Sequence, residues 1–346
     1  MAKLNDQIAV AIGIQSGGEG AINATVRDAT QIGTTESGAT ALGFLIRKES
    51  LVLDFDRIEE AGQDVVGSFT KRRGFKLRTD ASAFGFDYTL KGSGQTLTTP
   101  AAGEYNLTAV HEALLRGLGL LRGTPTGSQT PYALGTPDFL TCKVWRGNQS
   151  WVMQDTKVAE LSLALNPGNV VVATPTFAPG FVIHRPSDTF PTVISYGLNE
   201  STPPPVLQSA GAQIGATVRG FLEGTLVIAN LYEDFPDSNL PRGRSFEQLG
   251  RDVTWEGNFY VDSTNLNQDF LNLDLVAAPT EELSFQLGVN TTTPGQVANA
   301  IQFFLNNVNF TRQRVVEQAR RIVYALEGYS TDVSGAANSE FSILSR

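Results

Sequence analysis

Glycines next to a helix could hold a phosphate, and the chain offers one such place. The stretch FGFDYTLKGSG, residues 84–94, ends in a Gly-Ser-Gly cluster, and a helix is predicted to start after Asn106 or Thr108. A phosphate loop needs its glycines at the helix N-terminus, where free N–H groups meet the anion. Here Asn106 lies twelve positions after Gly94, and the spacing G-x-x-x-x-G-K-[ST] is absent. The residues therefore predict a strand, a flexible connection and a helix packed on the sheet.

Other reactive side chains are few and scattered. The chain has two histidines, His111 and His184, and one cysteine, Cys142. They form no cluster with metal-ligand spacing, and no G-x-S-x-G nucleophile elbow occurs. Cys142 lies in the strand-like run FLTCKVW and is predicted to be a small core residue. We predict that the protein is not an enzyme and takes no cofactor or metal.

Length, composition and charge limit the class of protein. The 346 residues are enough for two domains with full cores. The net charge of −9 argues against a nucleic-acid-binding surface, because neutralising phosphates requires Lys and Arg. It does not argue against a protein that lets nucleic acid pass without binding it. The sequence predicts no signal peptide and no membrane segment, since no stretch approaches the ~20 apolar residues of a membrane span.

The elements around the glycine cluster are a half-buried strand and an amphipathic helix. Apolar and polar residues alternate through residues 84–91, which is the period of a β-strand. The apolar face, predicted to lie in the core together with Trp255, comprises Phe84, Phe86, Tyr88 and Leu90. The helix has one apolar stripe, formed by Val110, Leu114, Leu115 and Leu118. The predicted fold class is mainly β with a few flanking helices.

The second half of the chain repeats this order of segments. Residues 252–262, DVTWEGNFYVD, alternate like the strand at 84–91, and a helix is predicted to follow at 265–275. Upstream, residues 51–78 and 225–251 each start with an apolar strand and pass through acidic and then basic residues. These two stretches predict long hairpins with charged arms. The acidic residues of the arms are Asp54, Asp56, Glu59, Glu60, Glu233, Asp234 and Asp237. The basic residues are Lys71, Arg72, Arg73, Lys76, Arg242 and Arg244.

Further hairpins are predicted downstream. One turns at residues 147–148 and another near residues 166–168, where Gly, Asn and Pro favour turns. Residues 311–327 are ambiguous, because their apolar spacing suits a helix while their place in the repeat suits a strand. We favour the strand.

The repeat divides the chain into four predicted parts. An N-terminal arm with one short strand or helix covers residues 1–50, and a first β-module covers 51–185. A linker region rich in Pro, Ser and Thr covers 186–208. A second β-module with a C-terminal tail covers 209–346.

The order of these segments resembles the tail tube (major tail) proteins of long-tailed bacteriophages. The resemblance covers most of the chain and is one of pattern and order, since no single motif is specific. It rests on the charged hairpin followed by FGFDYTLKGSG, LTAVHEALLRGLGL, VWRG and KVAELSLALNPG, and then on PPPV and GRDVTWEGN in the second half. It implies two tandem tail-tube-like β-barrel or β-sandwich modules whose strands join a tube-forming sheet. Members of the family have no catalytic residues.

The resemblance also implies a function and partners. The protein would be a structural virion protein that stacks as rings into a tail tube, through which DNA passes without specific binding. Two modules per chain imply a trimeric ring with pseudo-sixfold symmetry. Its partners would be other copies of itself and the tape-measure, tail-tip and tail-terminator proteins. It would be located in the tail and assembled in the cytoplasm of the bacterial host.

Two sets of residues are expected to act in such a tube. The charged arms are expected to make ring-to-ring contacts, with local pairing of solvated charges as the competing interpretation. The lumen is expected to be lined by Asp87, Thr89, Lys91, Thr254, Glu256 and Asn258. Two other functions remain open at this point: another phage structural β-protein, for decoration or the baseplate, and a carbohydrate-binding β-module.

Overall fold

The computed structural model describes residues 7–47, 49–62, 73–98, 103–178, 180–214, 217–218, 220–236, 244–260, 281–318, 321–332 and 338–346. The chain is mostly β-structure, as the sequence predicts, and its strands form a large mixed sheet. The helices are α1 Ala24–Arg27, α2 Ala109–Leu118 and α3 Leu198–Ser201.

The strands fall into two series along the chain. The first series is β1 Ile8–Ile14, β2 Gln31–Gly33, β3 Thr40–Phe44, β4 Val52–Gly62, β5 Arg73–Gly85, β6 Tyr88–Thr89, β7 Leu120–Arg122, β8 Thr130–Leu134, β9 Leu140–Arg146, β10 Gln149–Leu165, β11 Val172–Ala178 and β12 Phe181–Arg185. The second series is β13 Val193–Ile194, β14 Leu207–Ile214, β15 Thr217–Val218, β16 Phe221–Pro236, β17 Arg244–Tyr260, β18 Glu281–Leu287, β19 Ile301–Gln318, β20 Arg321–Ser330 and β21 Phe341–Ser345.

Eight of these strands form one continuous antiparallel sheet, which we call the long sheet. Its order is β4, β5, β11, β10, β16, β17, β20 and β19. Within the described part of the chain, β4 has only β5 as a neighbour. Among the described residues, the end of β19, residues 309–318, has only β20 as a neighbour. As far as the structure describes the chain, the long sheet therefore ends in an open strand edge on both sides.

Two strands, β10 and β19, also pair with strands outside the long sheet. The first half of β10 pairs with β9 and β12, and β9 pairs in turn with β1. The first half of β19 pairs with β18 and β21, and β18 pairs in turn with β14. The parallel pairs β2–β3 and β2–β13 make the overall sheet mixed.

Residues 7–47 form more elements than the one short strand or helix that the sequence predicts there. This segment forms β1, α1, β2 and β3, and β1 lies between β3 and β9. Residues 9–12 are almost fully buried. A strand that is buried on both faces reads as a near-continuous apolar run, and IAVAIGI is such a run.

The helix predicted beside the glycine cluster is confirmed. Helix α2 follows Thr108 and ends at Gly119, whose left-handed backbone (φ 97°) suits a glycine. A Cβ at Gly119 would lie 2.7 Å from the carbonyl oxygen of Gly135, so the close approach also requires glycine. The whole predicted stripe, Val110, Leu114, Leu115 and Leu118, is buried against the strands. The helix predicted at 265–275 lies outside the described residues.

The predicted hairpins are confirmed. One turn joins β9 to β10 at residues 147–148, and the next joins β10 to β11 across residues 166–171. Residues 311–318 belong to β19 and 321–327 to β20, so the choice of strand for this segment is also confirmed.

The two faces of the long sheet differ in character. The inner face packs into the core, and the predicted core residues Phe84, Phe86, Tyr88 and Trp255 are 1–2% exposed. Several strands carry exposed polar residues on the opposite face, among them Thr176, Thr254 and Glu256. We call this opposite side the open face.

Candidate assembly surfaces

The glycine cluster at residues 92–94 holds no free anion-binding loop. The amide of Gly92 donates a hydrogen bond to Asn299 Oδ1 at 2.9 Å, and the amide of Gly94 donates to the carbonyl of Ala298 at 2.9 Å. Ser93 Oγ donates to the carbonyl of Glu104 at 2.9 Å. The segment joins the two halves of the chain, because residues 298–299 lie just before β19.

The histidines and the cysteine are packed as structural residues. His111 is 1% exposed and lies 5.8 Å from the Phe44 ring and 5.4 Å from the Tyr88 ring. Its burial lowers its pKa to about 4, because a charged imidazole is costly away from water. His184 stacks on Trp151 at 5.3 Å, and Cys142 is fully buried. Within the described residues, no group of His, Cys, Asp and Glu side chains could hold a metal ion.

The open face carries a row of polar residues, two of them acidic, on the strands of the second half. Thr225, Glu256 and Glu327 are direct cross-strand neighbours on β16, β17 and β20. Glu327 also accepts from Arg312 Nη1 at 3.3 Å, an exposed ion pair. A shallow depression beside this row is lined by Glu223, Glu256 and Glu327. The open face is therefore polar and rich in carboxylates here.

The lumen candidates of the second half lie on this open face. Thr254 and Glu256 are exposed on β17, and the neighbouring Asn258 is half-buried. Asn258 Nδ2 donates to Glu223 Oε1 at 2.9 Å. All three side chains lie opposite the buried Val253, Trp255 and Phe259 of the same strand.

The lumen candidates of the first half have different surroundings. Asp87 Oδ1 accepts from Thr174 Oγ1 at 2.7 Å, and Thr89 lies opposite Val172 of β11. Lys91 differs from the expectation, because its side chain is only 7% exposed and is covered by other residues of the same chain. Burial lowers the pKa of Lys91, whereas the negative charge of Glu200 acts to raise it. The alternation of residues 84–91 could not reveal this cover, since it comes from distant parts of the sequence.

The charged arms are paired strands where the structure describes them. Asp54, Asp56, Glu59 and Glu60 belong to β4, whereas Arg73 and Lys76 belong to β5, and Glu59 lies opposite Lys76. Glu233 and Asp234 belong to β16 and Arg244 starts β17. Asp54 and Glu233 are exposed. The remaining predicted arm residues, Lys71, Arg72, Asp237 and Arg242, lie outside the described residues.

Two polar clusters that the sequence did not suggest hold these elements in place. Lys143 is fully buried, forms an ion pair with Asp188 at 2.8 Å, and donates to the carbonyls of Arg27 and Ala29 at 3.0 and 3.2 Å. Arg251 donates to Asn230 Oδ1 at 2.9 Å and to the carbonyl of Gly135 at 2.9 Å. Neither residue has a local sequence signal, because their partners lie far away in the chain.

The strand pairings of the first half recur in the second half. Six pairings of the first half have counterparts in the second half. Those of the first half are β1–β9, β9–β10, β10–β11, β10–β12, β11–β5 and β5–β4. Their counterparts, in the same order, are β14–β18, β18–β19, β19–β20, β19–β21, β20–β17 and β17–β16. All of these pairs are antiparallel. The internal repeat of the sequence thus has a counterpart in the order in which the strands pair.

No protein-family model and no curated protein matches this chain. In the part of the chain that the structure describes, no helix is long and apolar enough to cross a membrane.

Proposed function

We propose that the protein is a structural virion protein that polymerises as stacked rings into the tail tube of a long-tailed bacteriophage. The observation that supports this proposal most strongly is the long sheet. It has a polar open face, an apolar inner face and an open strand edge at each end. Open edges are a hazard for a protein that stays monomeric, and they suit one whose copies join edge to edge.

The chain carries two tube-like modules in this proposal. The recurring strand pairings support two modules of one design, one on each side of the β10–β16 junction. A chain with two modules would build a ring of three copies with pseudo-sixfold symmetry. Tape-measure, tail-tip and tail-terminator proteins would be its partners in the tail.

The open face would line the lumen in this proposal. Its carboxylates, including Glu223, Glu256 and Glu327, would repel the phosphates of passing DNA. The net charge of −9 agrees with a conduit along which DNA slides without binding. The charged arms would contact the next ring along the tube.

Electron microscopy of the purified, concentrated protein in low and high salt tests the proposal. Long hollow tubes of uniform width are expected, with three copies in each ring. Six copies per ring would contradict the two-module interpretation. Particles that stay monomeric in all conditions, including with purified tail tips added as nuclei, would contradict the tube function itself.

A further inference from the structure

The two open edges of the long sheet have the properties of a matched pair. We propose that residues 312–317 of β19 in one copy pair antiparallel with residues 51–56 of β4 in the next copy. In this register Val315 lies opposite Leu53, Val316 opposite Val52 and Arg314 opposite Asp54. The proposal deepens the proposed ring by naming the strands and the register of its seam.

The template for this seam is the junction inside the chain. Strand β10 pairs with β16 through Ser162–Val227, Leu163–Leu226 and Ala164–Thr225. In the recurring pairing order, β19 is the counterpart of β10 and β4 is the counterpart of β16. A seam between β19 and β4 would therefore repeat, between copies, a contact that already joins the two halves of one copy.

The alignment of β19 with β10 is fixed by an irregularity that both strands share. Asp155 in β10 and Asn307 in β19 have positive φ angles of 53° and 50°. In each strand the pairing register shifts directly after the residue three positions further along the chain, which is Val158 in β10 and Phe310 in β19. Superimposing these features places Val315 at the position of Leu163.

The alignment of β4 with β16 follows from rows of cross-strand neighbours. One row comprises Leu53, Phe84, Phe177 and Val158. The corresponding row comprises Leu226, Trp255, Gly328 and Phe310. Because both rows end at the shared irregularity, Leu53 takes the position of Leu226.

The burial of the equivalent residues shows what is missing at the open edges. Leu163 and Leu226 face each other across the internal junction and are 1% and 0% exposed. Val315, the counterpart of Leu163, is 65% exposed, and Leu53, the counterpart of Leu226, is half-buried. Val316 and Val52 are 43% and 50% exposed, and their counterparts Ala164 and Thr225 lie on the open face. A partner strand that covers exposed β-branched residues at an unpaired edge removes them from water and so stabilises the pairing.

The charges at the two edges are complementary. Arg314 on β19 and Asp54 on β4 are both exposed, and the register places them opposite each other. Opposite charges at facing positions of antiparallel strands stabilise the pair, whereas like charges destabilise it. A register shifted by one residue would put Arg314 opposite Leu53 and would turn each apolar side chain to the other face.

The direction of the strands also fits. The long sheet has eight strands in strict antiparallel alternation, so β4 and β19 run in opposite directions. A second copy placed against β19 in the same orientation presents β4 antiparallel to it. The contact joins two different edges, so it is head-to-tail and builds a ring when the rotation between copies closes, rather than a two-fold dimer.

Disulfide trapping in the full-length protein tests the register. The single cysteine Cys142 is buried, so engineered cysteines provide the accessible thiols. In Val52→Cys/Val316→Cys, mild oxidation of assembled protein should give covalent multimers on a non-reducing gel, up to the size of one ring. Val316→Cys alone should give no ladder, since one accessible cysteine per chain can link at most two chains.

Two further variants make the result decisive. Ala164→Cys/Thr225→Cys, at the equivalent internal pair, should form a disulfide within one chain and shows that this geometry permits the bond. Asp54→Cys/Val316→Cys is out of register by two residues, at roughly 7–8 Å between Cα atoms, and should give at least tenfold less ladder. Rings seen by electron microscopy without the in-register ladder, or with equal ladders from both pairs, would overturn the register and leave the ring standing. No assembly at all would overturn both proposals.

Discussion

His111 is a buried titratable group with no role in the proposed assembly. It packs against aromatic rings, and Nδ1 lies 3.3 Å from Thr108 Oγ1 at the start of α2. Its pKa falls to about 4 from an ordinary value of 6.5, first because of burial and second because of the charge of Lys91. The unfolded chain therefore binds a proton on this residue at a higher pH than the folded chain does.

This difference predicts that the protein loses stability as the pH falls. Between pH 6.5 and about 4 the unfolded state is protonated at His111 and the folded state is not, so the free energy of unfolding decreases with falling pH. From pH 7.5 to pH 5 the contribution is about 2 kcal/mol. Urea unfolding at several pH values measures it, and His111→Phe should flatten the slope in this range.

The second histidine provides the control for that measurement. His184 is exposed on β12, so His184→Phe is the matched control for the removal of one histidine. An equal flattening in both variants would show that the slope does not come from the burial of His111.

At the scale of the strand, equivalent positions in β10 and β19 have opposite surroundings. Leu163 is buried at the internal junction, whereas Val315 is exposed at the open edge. Truncating a buried leucine removes its packing and leaves a cavity, whereas truncating an exposed valine costs the isolated chain little.

This contrast predicts that one pair of variants separates folding from assembly. Leu163→Ala should lower the free energy of unfolding of the monomer by about 2–5 kcal/mol. Val315→Ala should change it by less than about 0.5 kcal/mol and should raise the protein concentration needed for assembly several-fold. Chemical unfolding measures the first effect and light scattering the second. Normal assembly by Val315→Ala would argue against burial of this edge.

At the scale of the whole molecule, the charged arms are the part proposed to join one ring to the next. Their strands extend the β4–β5 and β16–β17 hairpins beyond the long sheet. The second arm is tied to the body of the protein, because Ser245 Oγ donates to Glu19 Oε2 at 2.7 Å and the amide of Phe246 donates to Glu19 Oε1 at 3.2 Å. These contacts hold the far end of the described arm, where Phe235 pairs with Ser245, at a defined place on the protein.

Charge reversal in the first arm is predicted to block stacking without unfolding the chain. Lys71→Glu/Arg72→Glu/Arg73→Glu changes three neighbouring positive charges to negative ones, so attraction to acidic residues of a neighbouring ring would become repulsion. Electron microscopy should then show single rings in place of long tubes, and the melting temperature should stay close to that of the unchanged protein. Tubes of normal length would mean that this arm is not the stacking contact.

Much of the local structure was predictable because its causes are local. The stripe of α2 and the glycine that ends it follow from helical spacing and backbone preference. The turns of the β9–β10 and β10–β11 hairpins follow from Gly, Asn and Pro between apolar runs. The alternation of Phe84, Phe86 and Tyr88 determines which face enters the core, and the repeated order of segments anticipated the repeated pairing of strands.

Features that depend on contacts between residues far apart in the sequence were decided only by the tertiary structure. The spacing of residues 311–327 suits a helix, but β20 finds hydrogen-bonding strands on both sides, β17 and β19, and therefore stays extended. The N-terminal segment joins the sheet because β9 and β3 flank β1. Lys91 and Lys143 are buried by residues far away in the chain, whose positions no local pattern encodes. The sequence by itself determined the elements and their faces, whereas the folded chain decided which edges are covered and which stay open.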